Sequence, residues 1–255
     1  SPKFLELKVI SENSLQLLFS TSINIENLKI YPLEENQEVQ VESKNLGEGL
    51  WQIDSFSDFD CRKNYLIEGY VLDQRGNSLY FKDSFIGFNG RVPNVVINEI
   101  RSEYSKPKVE FIELKVLSEG NLGGMELMVA SDGEENSYIF PSVEVKSEDL
   151  IVLHFRKIED GCIDEIENDR ELSTATESSS SIDLWIENTS ARIAKSDVIL
   201  LKNKRQGEVV DSVLYMESSA SSWKTPFLSE CAELALASES WIGNPVNSDG
   251  VTATR

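Results

Sequence analysis

Histidine and cysteine are scarce in the sequence, and their scarcity limits the chemistry that the chain can perform. The chain of 255 residues has one histidine, His154, and three cysteines, Cys61, Cys162 and Cys231. One histidine cannot build a histidine-rich metal site, and a Ser-His-Asp triad would have to use this one. The cysteines lack C-x-x-C spacing and allow at most one internal disulfide, so three free thiols and a Cys162–Cys231 bridge both stay open.

The sequence also has few basic residues and no long apolar runs. Lysine and arginine number 24 against 44 aspartates and glutamates, which gives a formal net charge of −20. Such a charge repels phosphate backbones, so duplex nucleic acid is not expected as a partner. No apolar run approaches the roughly 18 residues of a membrane helix, and the opening SPKFLELKV does not read as a signal peptide.

Sequence motifs of common catalytic and cofactor sites are missing too. No G-x-S-x-G elbow, P-loop or G-x-G-x-x-G turn follows a strand-like run. We therefore expect a protein without enzymatic activity and without a cofactor.

Short strand-like runs make up much of the chain, among them SLQLLFS, NLKIYPL, EVQVES and NYLIEGYVLD. Asn, Asp, Gly and Ser separate these runs at intervals of about 8–12 residues, which is typical of a sandwich or barrel and not of βαβ units. No segment has a sustained helical period, and the best helix candidate, Ser229–Ser240, is short. The pattern predicts an all-β protein.

A change in composition near residue 90 predicts a domain boundary. The stretch FNGRVPNVV contains Gly, Pro and Asn in the manner of a short interdomain hinge. We divide the chain there into residues 1–93 and 94–255. The first part holds 14 acidic and 9 basic residues and the second holds 30 and 15, so the net charges are −5 and −15.

One stretch of the second part, residues 158–181, is called the acidic segment below. It carries eight acidic residues and one arginine, and then becomes rich in Ser and Thr. Such a composition is not expected to bury enough apolar surface to offset the entropy of ordering it. We interpret it as an inserted surface loop with a short helical turn. Its exposed carboxylates, Glu165, Glu167 and Asp169, are the candidate contacts for a partner.

Calcium is the one metal that the sequence leaves open. ASDGEENSY supplies Asp132 and Glu134 near a glycine, and EDGCIDEIENDRE supplies Asp160 and Asp164. Oxygen ligands near a glycine are typical of calcium loops, but neither stretch has the spacing of an EF-hand. Solvated acidic loops are the simpler interpretation.

Acidic residues inside apolar strands, in VVINEI and VEFIEL, raise the question of a catalytic pair. Glu99 and Glu113 could face each other across two antiparallel strands, as glycosidase acids do. Alternation on a strand, however, would place Asn98 and Glu99 on opposite faces, and no pattern brings the tryptophans into one cleft. We favour a structural role for these carboxylates.

The remaining histidine and most aromatic residues are expected to be structural. His154 alternates with Leu153 and Phe155, which predicts a strand residue at a sheet surface. Large aromatic residues usually pack sandwich cores, and we expect this of five of them, which are Trp51, Tyr65, Tyr70, Trp185 and Tyr215.

The first half resembles bacterial Ig-like domains of surface proteins. NYLIEGYVLDQRGNSLYF matches the closing hairpin of that family, with Tyr65, Asp73, Gly76 and Asn77 at its strand and turn positions. SENSLQLLFSTSIN is similar to its opening strand and turn. The resemblance covers most of residues 5–90.

The second half resembles the lamin tail domain, an Ig-like module of nuclear lamins and of secreted bacterial proteins. The family's first strands match VVINEI and EFIEL, at Asn98, Glu99, Glu110, Phe111, Glu113 and Leu114. NLGGMEL corresponds to its Leu-Ser-Gly-Trp turn, with Met125 in place of the aromatic residue. Matches continue through YIFP, SEDLIVLHF and KSDVILLKNKRQGEVVDSVLY, with Ser196 where glycine is usual.

The two resemblances together imply two tandem Ig-like β-sandwiches. They further imply an exported, non-enzymatic protein at the cell surface, at the outer membrane or in the periplasm, where it serves as an interaction or spacer module. Membrane attachment would be peripheral, through a lipid anchor upstream of Ser1, and the partner would be a protein or a cell-surface glycan. Accessory domains of a secreted hydrolase and a calcium-dependent adhesion module are the alternatives.

Overall fold

Strands dominate the fold, which is described by a computed structural model for residues 1–35, 37–61, 63–105, 108–167, 169–175, 180–187, 193–203 and 207–243. The all-β class predicted from the sequence is confirmed. By its internal contacts the chain divides into two units, Ser1–Gly90 and Arg91–Arg255. Within the described residues, no helix is long and apolar enough to cross a membrane.

The first unit is a seven-stranded sandwich. Its strands are β1 (Phe4–Ser11), β2 (Ser14–Phe19), β3 (Ile23–Pro32), β4 (Val41–Gly47), β5 (Leu50–Ser55), β6 (Asn64–Asp73) and β7 (Ser78–Ile86). One sheet has the order β1-β2-β5-β4 and the other has the order β3-β6-β7, which is the strand arrangement of an immunoglobulin constant-type domain. Because side chains alternate along a strand, residues such as Leu15, Leu17 and Ile67 all point into one core.

Two polar contacts fix the closing hairpin of the first unit. The hydroxyl of Tyr65, near the start of β6, accepts a hydrogen bond from the backbone N–H of Asp60 at 2.9 Å, as in the tyrosine corner of immunoglobulin sandwiches. In the turn to β7, the Asp73 carboxylate accepts N–H bonds from Arg75 and Asn77, both 2.8 Å long. Gly76 has a φ of +79°, a conformation that glycine adopts without strain.

The second unit is a larger sandwich with one helix. Its strands are β8 (Val95–Arg101), β9 (Phe111–Val116), β10 (Gly120–Asn121), β11 (Met125–Val129), β12 (Tyr138–Ile139), β13 (Glu144–Val145), β14 (Leu150–His154), β15 (Ser181–Trp185), β16 (Asp197–Asn203) and β17 (Glu208–Tyr215), and its helix is α1 (Pro226–Ala237). The two main sheets have the orders β15-β14-β9-β8 and β12-β11-β16-β17, and β10 pairs with β13. β14 and β15 are parallel.

The core of the second unit lies between its two main sheets. It combines Leu114 and Leu153 of one sheet with Leu127 and Leu201 of the other, all of them nearly inaccessible to solvent. Met125 is 1% exposed in the same core. Its flexible side chain can fill an irregular space between the two sheets.

Helix α1 covers the outer face of the second main sheet. It begins at Pro226, after the side chain of Thr225 caps it by accepting a hydrogen bond from the N–H of Leu228 at 3.2 Å. Its buried side chains, which are Leu228, Cys231, Ala232 and Ala235, pack against apolar residues of β11, β16 and β17. The helix overlaps the best helix candidate of the sequence and starts three residues before it.

Strand β8 carries a bulge between Ile97 and Glu99, which breaks the alternation expected from the sequence. Glu99 pairs in register with Glu113, and the Asn98 side chain also donates to Glu113, at 2.6 Å. The expectation that Asn98 and Glu99 face opposite sides is therefore wrong. From β17, the Asp211 carboxylate accepts the Ile97 N–H at 2.6 Å and so joins the two sheets.

Candidate functional site

The acidic segment does not form a loop that stands away from the domain. Along the outer edge of β15, the Glu165 side chain accepts N–H bonds from Asp183 at 2.9 Å and from Ser173 at 3.0 Å. Asp164 accepts the N–H of Trp185 at 2.7 Å. These carboxylates satisfy donors of β15, which is the edge strand of its sheet in the described part of the chain, and so they block edge-to-edge pairing.

The acidic segment also buries apolar surface, contrary to the expectation from its composition. Cys162 packs against Trp185 and Val109, and Ile158 and Ala175 adjoin this cluster. The indole N–H of Trp185 donates to the Ser173 hydroxyl at 3.2 Å. Trp185, at the end of β15, thus provides the apolar surface that orders the acidic segment. Residues 168 and 176–179 of the segment lie outside the described part of the chain.

The candidate partner contacts in the acidic segment separate into two groups. Glu165 is fully buried and presents no surface to a partner, which corrects its assignment from the sequence. Glu167 and Asp169 are exposed, and Asp169 accepts the Glu171 N–H at 3.2 Å, as in a local turn.

The calcium candidates do not converge. Asp132 and Glu134 lie on two short 3-10 turns, Asp160 is exposed, and Asp164 is bonded to β15. Within the described ranges, no group of three or more His, Cys, Asp or Glu side chains is placed to hold a metal ion. Calcium binding stays a prediction from the sequence.

His154 lies on β14 but is buried, so its predicted position at a sheet surface is wrong. Its Nε2 is 2.7 Å from Asp183 Oδ1, and its ring stacks on Trp185 with 3.9 Å between centroids. Nδ1 has no hydrogen-bond partner among the described residues. Among the described residues, no serine hydroxyl is bonded to this imidazole. No disulfide joins Cys61, Cys162 or Cys231.

Glu110, the first carboxylate of the EFIEL motif, forms a buried ion pair. Its two oxygens accept hydrogen bonds from the Arg156 guanidinium, with a distance of 2.8 Å from Nε to Oε2. The guanidinium carbon also lies 3.9 Å from the ring centroid of Tyr104. Two oxygens matched by two donors neutralise both charges where water is excluded, so this carboxylate is structural.

A group of exposed aromatic residues lies on the open face of the β3-β6-β7 sheet in the first unit. We call Tyr31, Tyr70, Tyr80 and Glu68 the tyrosine platform. Tyr70 and Tyr80 are 53% and 46% exposed, and their ring centroids are 5.0 Å apart. The cross-strand register places Lys29 and Lys82 on either side of Glu68.

Hydrogen bonds to one carboxylate hold the tyrosine platform together. The Tyr80 hydroxyl donates to Glu68 at 2.7 Å, and this hydrogen bond raises the pKa of Tyr80 to about 12. Burial, together with the charge of Glu68, also raises the pKa of Tyr31. At neutral pH the Tyr80 hydroxyl is protonated and donates to Glu68, so this hydrogen bond holds the Tyr80 ring in place before anything binds.

The sequence did not single out the tyrosine platform. Trp185, Tyr65 and Tyr215 are buried as expected and Trp51 is partly buried, but Tyr70 is exposed, which corrects its assignment to a core. The alternation in IEGYV could have predicted the exposure of Tyr70, since burying Ile67 and Val71 on a strand turns Tyr70 outward.

Three comparisons with known proteins place these features in context. The family model described as "TP_1001_2nd: protein second domain" matches residues 93–255. An uncharacterized protein of Treponema pallidum (strain Nichols) is 26% identical over 185 residues, which are 69% of this chain and 47% of that protein. The chain thus spans about half the length of that relative. A DUF4785 family protein of Legionella pneumophila shares 10% identity and a TM-score of 0.27 over 84% of this chain and 55% of its own.

Proposed function

We propose that the chain, which belongs to the TP_1001 protein second-domain family through residues 93–255, is a non-catalytic binding module of the cell envelope. We further propose that it holds a glycan on the tyrosine platform of its first unit. In this proposal the second unit is a lamin-tail-like sandwich. The protein is exported and is held at the membrane by a lipid anchor upstream of Ser1. Mass spectrometry of its N-terminal peptide from the source cells tests this last part, and an unprocessed cytoplasmic chain would contradict it.

The tyrosine platform is the observation that carries the glycan proposal. It offers exposed aromatic rings for the apolar C–H faces of sugar rings and keeps them in a fixed geometry. Glu68, Lys29 and Lys82 surround the rings with acceptors and donors for sugar hydroxyls. A sheet face of this kind lets an extended chain of several sugars run across it.

Charge favours a neutral glycan over an acidic polymer. The chain carries a net charge of −20, which repels nucleic acids and acidic polysaccharides and opposes self-association. A neutral polysaccharide has no such electrostatic barrier. Its affinity would come from a few aromatic contacts, as in other interfaces where tyrosines dominate the binding energy.

A glycan array of neutral and anionic oligosaccharides, probed with the full chain and two tyrosine variants, tests the proposal. We expect retention of at least one neutral oligosaccharide of several sugars. Tyr70→Ala and Tyr80→Ala should each weaken that binding by about tenfold, which is typical of losing one dominant aromatic contact. Both rings lie outside the core, so the urea midpoint of unfolding should not change.

Phe56→Ala is the matched control, because Phe56 is 71% exposed in the same unit but is not part of the tyrosine platform. It should bind as the unmodified chain does. Equal weakening by Phe56→Ala, or no retained glycan on the array, would contradict the proposal. Binding that depends on the platform but selects a protein would replace the glycan with a different class of partner.

A further inference from the structure

A cleft of about 400 Å³ opens in the second unit, beside the β10–β13 strand pair. Small-molecule sites in proteins usually have volumes of roughly 300–1,000 Å³. Charged side chains of both signs line this cleft in equal number, and they are Arg91, Lys146, Arg170, Glu119, Glu144 and Asp149. Three cations at one place are unusual in a chain with 44 acidic and 24 basic residues.

Ion pairs fix the two arginines of the cleft. Arg91 Nη2 is 2.6 Å from Glu144 Oε1. Arg170 donates to Asp149 Oδ1 at 2.7 Å and to the Ser180 carbonyl at 2.9 Å. Arg170 is the single basic residue of the acidic segment, and its guanidinium is held in the cleft wall. Each guanidinium has five N–H donors, so these pairs leave others directed elsewhere.

Lys146 and Glu119 differ from the two arginines in their exposure and in their ion pairing. Both are exposed, and across the described residues neither takes part in an ion pair. We propose that the cleft binds a small zwitterion, an amino acid or a short peptide with free termini. Its carboxylate pairs with the Lys146 ammonium, and its own ammonium group pairs with the Glu119 carboxylate.

Other small ligands fit the cleft less well. A simple anion would meet the three carboxylates, and a simple cation would meet the three basic groups. No aromatic residue is among the described residues that line the cleft, so a sugar ring would lack a stacking surface. A ligand with one charge of each sign satisfies both groups at once, as electrostatic complementarity requires.

Amide chemical shifts of the full chain, titrated with glycylglycine, test the proposal. We expect saturable shifts that are confined to residues around the cleft. N-acetylglycylglycine lacks the ammonium charge and glycylglycinamide lacks the carboxylate, so each should bind about tenfold more weakly, as after the loss of one charge-assisted hydrogen bond. Equal binding of either blocked compound, or no saturable shift with glycylglycine, would overturn the proposal.

Lys146→Gln and Glu119→Gln should each weaken glycylglycine binding by about tenfold and leave the fold intact, since both side chains are exposed. The matched controls are Lys195→Gln and Glu217→Gln, which remove the same charges from a surface pair with an N–O distance of 3.7 Å outside the cleft. Both controls should bind normally. The same loss in the controls as in the cleft variants would show a non-local charge effect and would also overturn the proposal. The tyrosine platform is not involved, so the outcome is independent of the glycan experiment.

Discussion

The two sandwiches of this chain differ in what covers the outer faces of their sheets. In the second unit, helix α1 covers one main sheet, and the acidic segment packs against β15 of the other. In the first unit, side chains such as Leu5, Tyr70 and Tyr80 stand exposed on the outer faces. A covered face must satisfy every polar group beneath it, whereas an open face can present such groups to a ligand.

The distribution of buried charge follows the same division. Among the described residues, the buried charged side chains, which are Glu110, Glu126, Arg156, Glu165, Asp183 and Asp197, all lie in the second unit. The buried polar side chains of the first unit are Ser14 and Ser55. The second unit therefore depends for its stability on polar networks that the first unit does not need.

The largest effect is expected from breaking the buried ion pair beneath the covered face. Glu110→Gln should lower the free energy of unfolding by about 3–5 kcal/mol, because it leaves the Arg156 charge uncompensated in a site without water. Urea unfolding followed by tryptophan fluorescence measures this. Glu187→Gln, which removes an 83% exposed partner of Lys157, should change the free energy of unfolding by less than about 0.5 kcal/mol. Similar losses in both variants would mean that the covered face is not the source of stability.

A smaller loss is expected where α1 covers its sheet. Leu228→Ala should cost about 3 kcal/mol, because it opens a cavity beside β16 and β17 at a side chain that is 2% exposed. Leu234→Ala makes the same change on the same helix at a side chain that is 42% exposed, so it should cost less than about 1 kcal/mol. Thermal unfolding of the two variants side by side provides the comparison. Equal costs would indicate that the helix does not pack on the sheet as described.

The smallest effects concern pH, and they should have opposite signs in the two units. Burial raises the pKa of Asp211 in the second unit, while the Asn77 side chain lowers the pKa of the partly exposed Asp73 in the first. A raised folded-state pKa means that unfolding releases a proton, so the Asp211 contribution to stability falls as the pH rises from the ordinary aspartate value through the raised one. The Asp73 contribution is present above the ordinary value and is lost as the pH falls through the lowered one.

Urea unfolding of Asp211→Asn and Asp73→Asn from about pH 3 to pH 7 measures these contributions. The stability advantage of the unmodified chain over Asp211→Asn should shrink as the pH rises. Its advantage over Asp73→Asn should grow over the same range. Two curves with the same sign would show that burial does not distinguish these carboxylates.

The sequence by itself determined the class of the fold and the alternation that turns many apolar strand residues toward a core. Short alternating runs such as SLQLLFS can bury one face only as strands, and turn residues every ten or so positions leave room for little else. The closing hairpin was visible in Tyr65, Asp73 and Gly76 because its turn chemistry is local. The same few residues form the same turn in different proteins, so a short sequence pattern is sufficient to identify such a hairpin.

Only the tertiary structure decided which outward faces are covered. The sequence analysis placed Glu165 at the surface and Tyr70 in a core, and the structure reversed both assignments. Glu165 is buried because β15 is an edge strand whose donors need partners. Tyr70 is exposed because no described element of its own unit packs on its sheet face. Both outcomes depend on residues far apart in the chain, and a single sequence does not record that proximity.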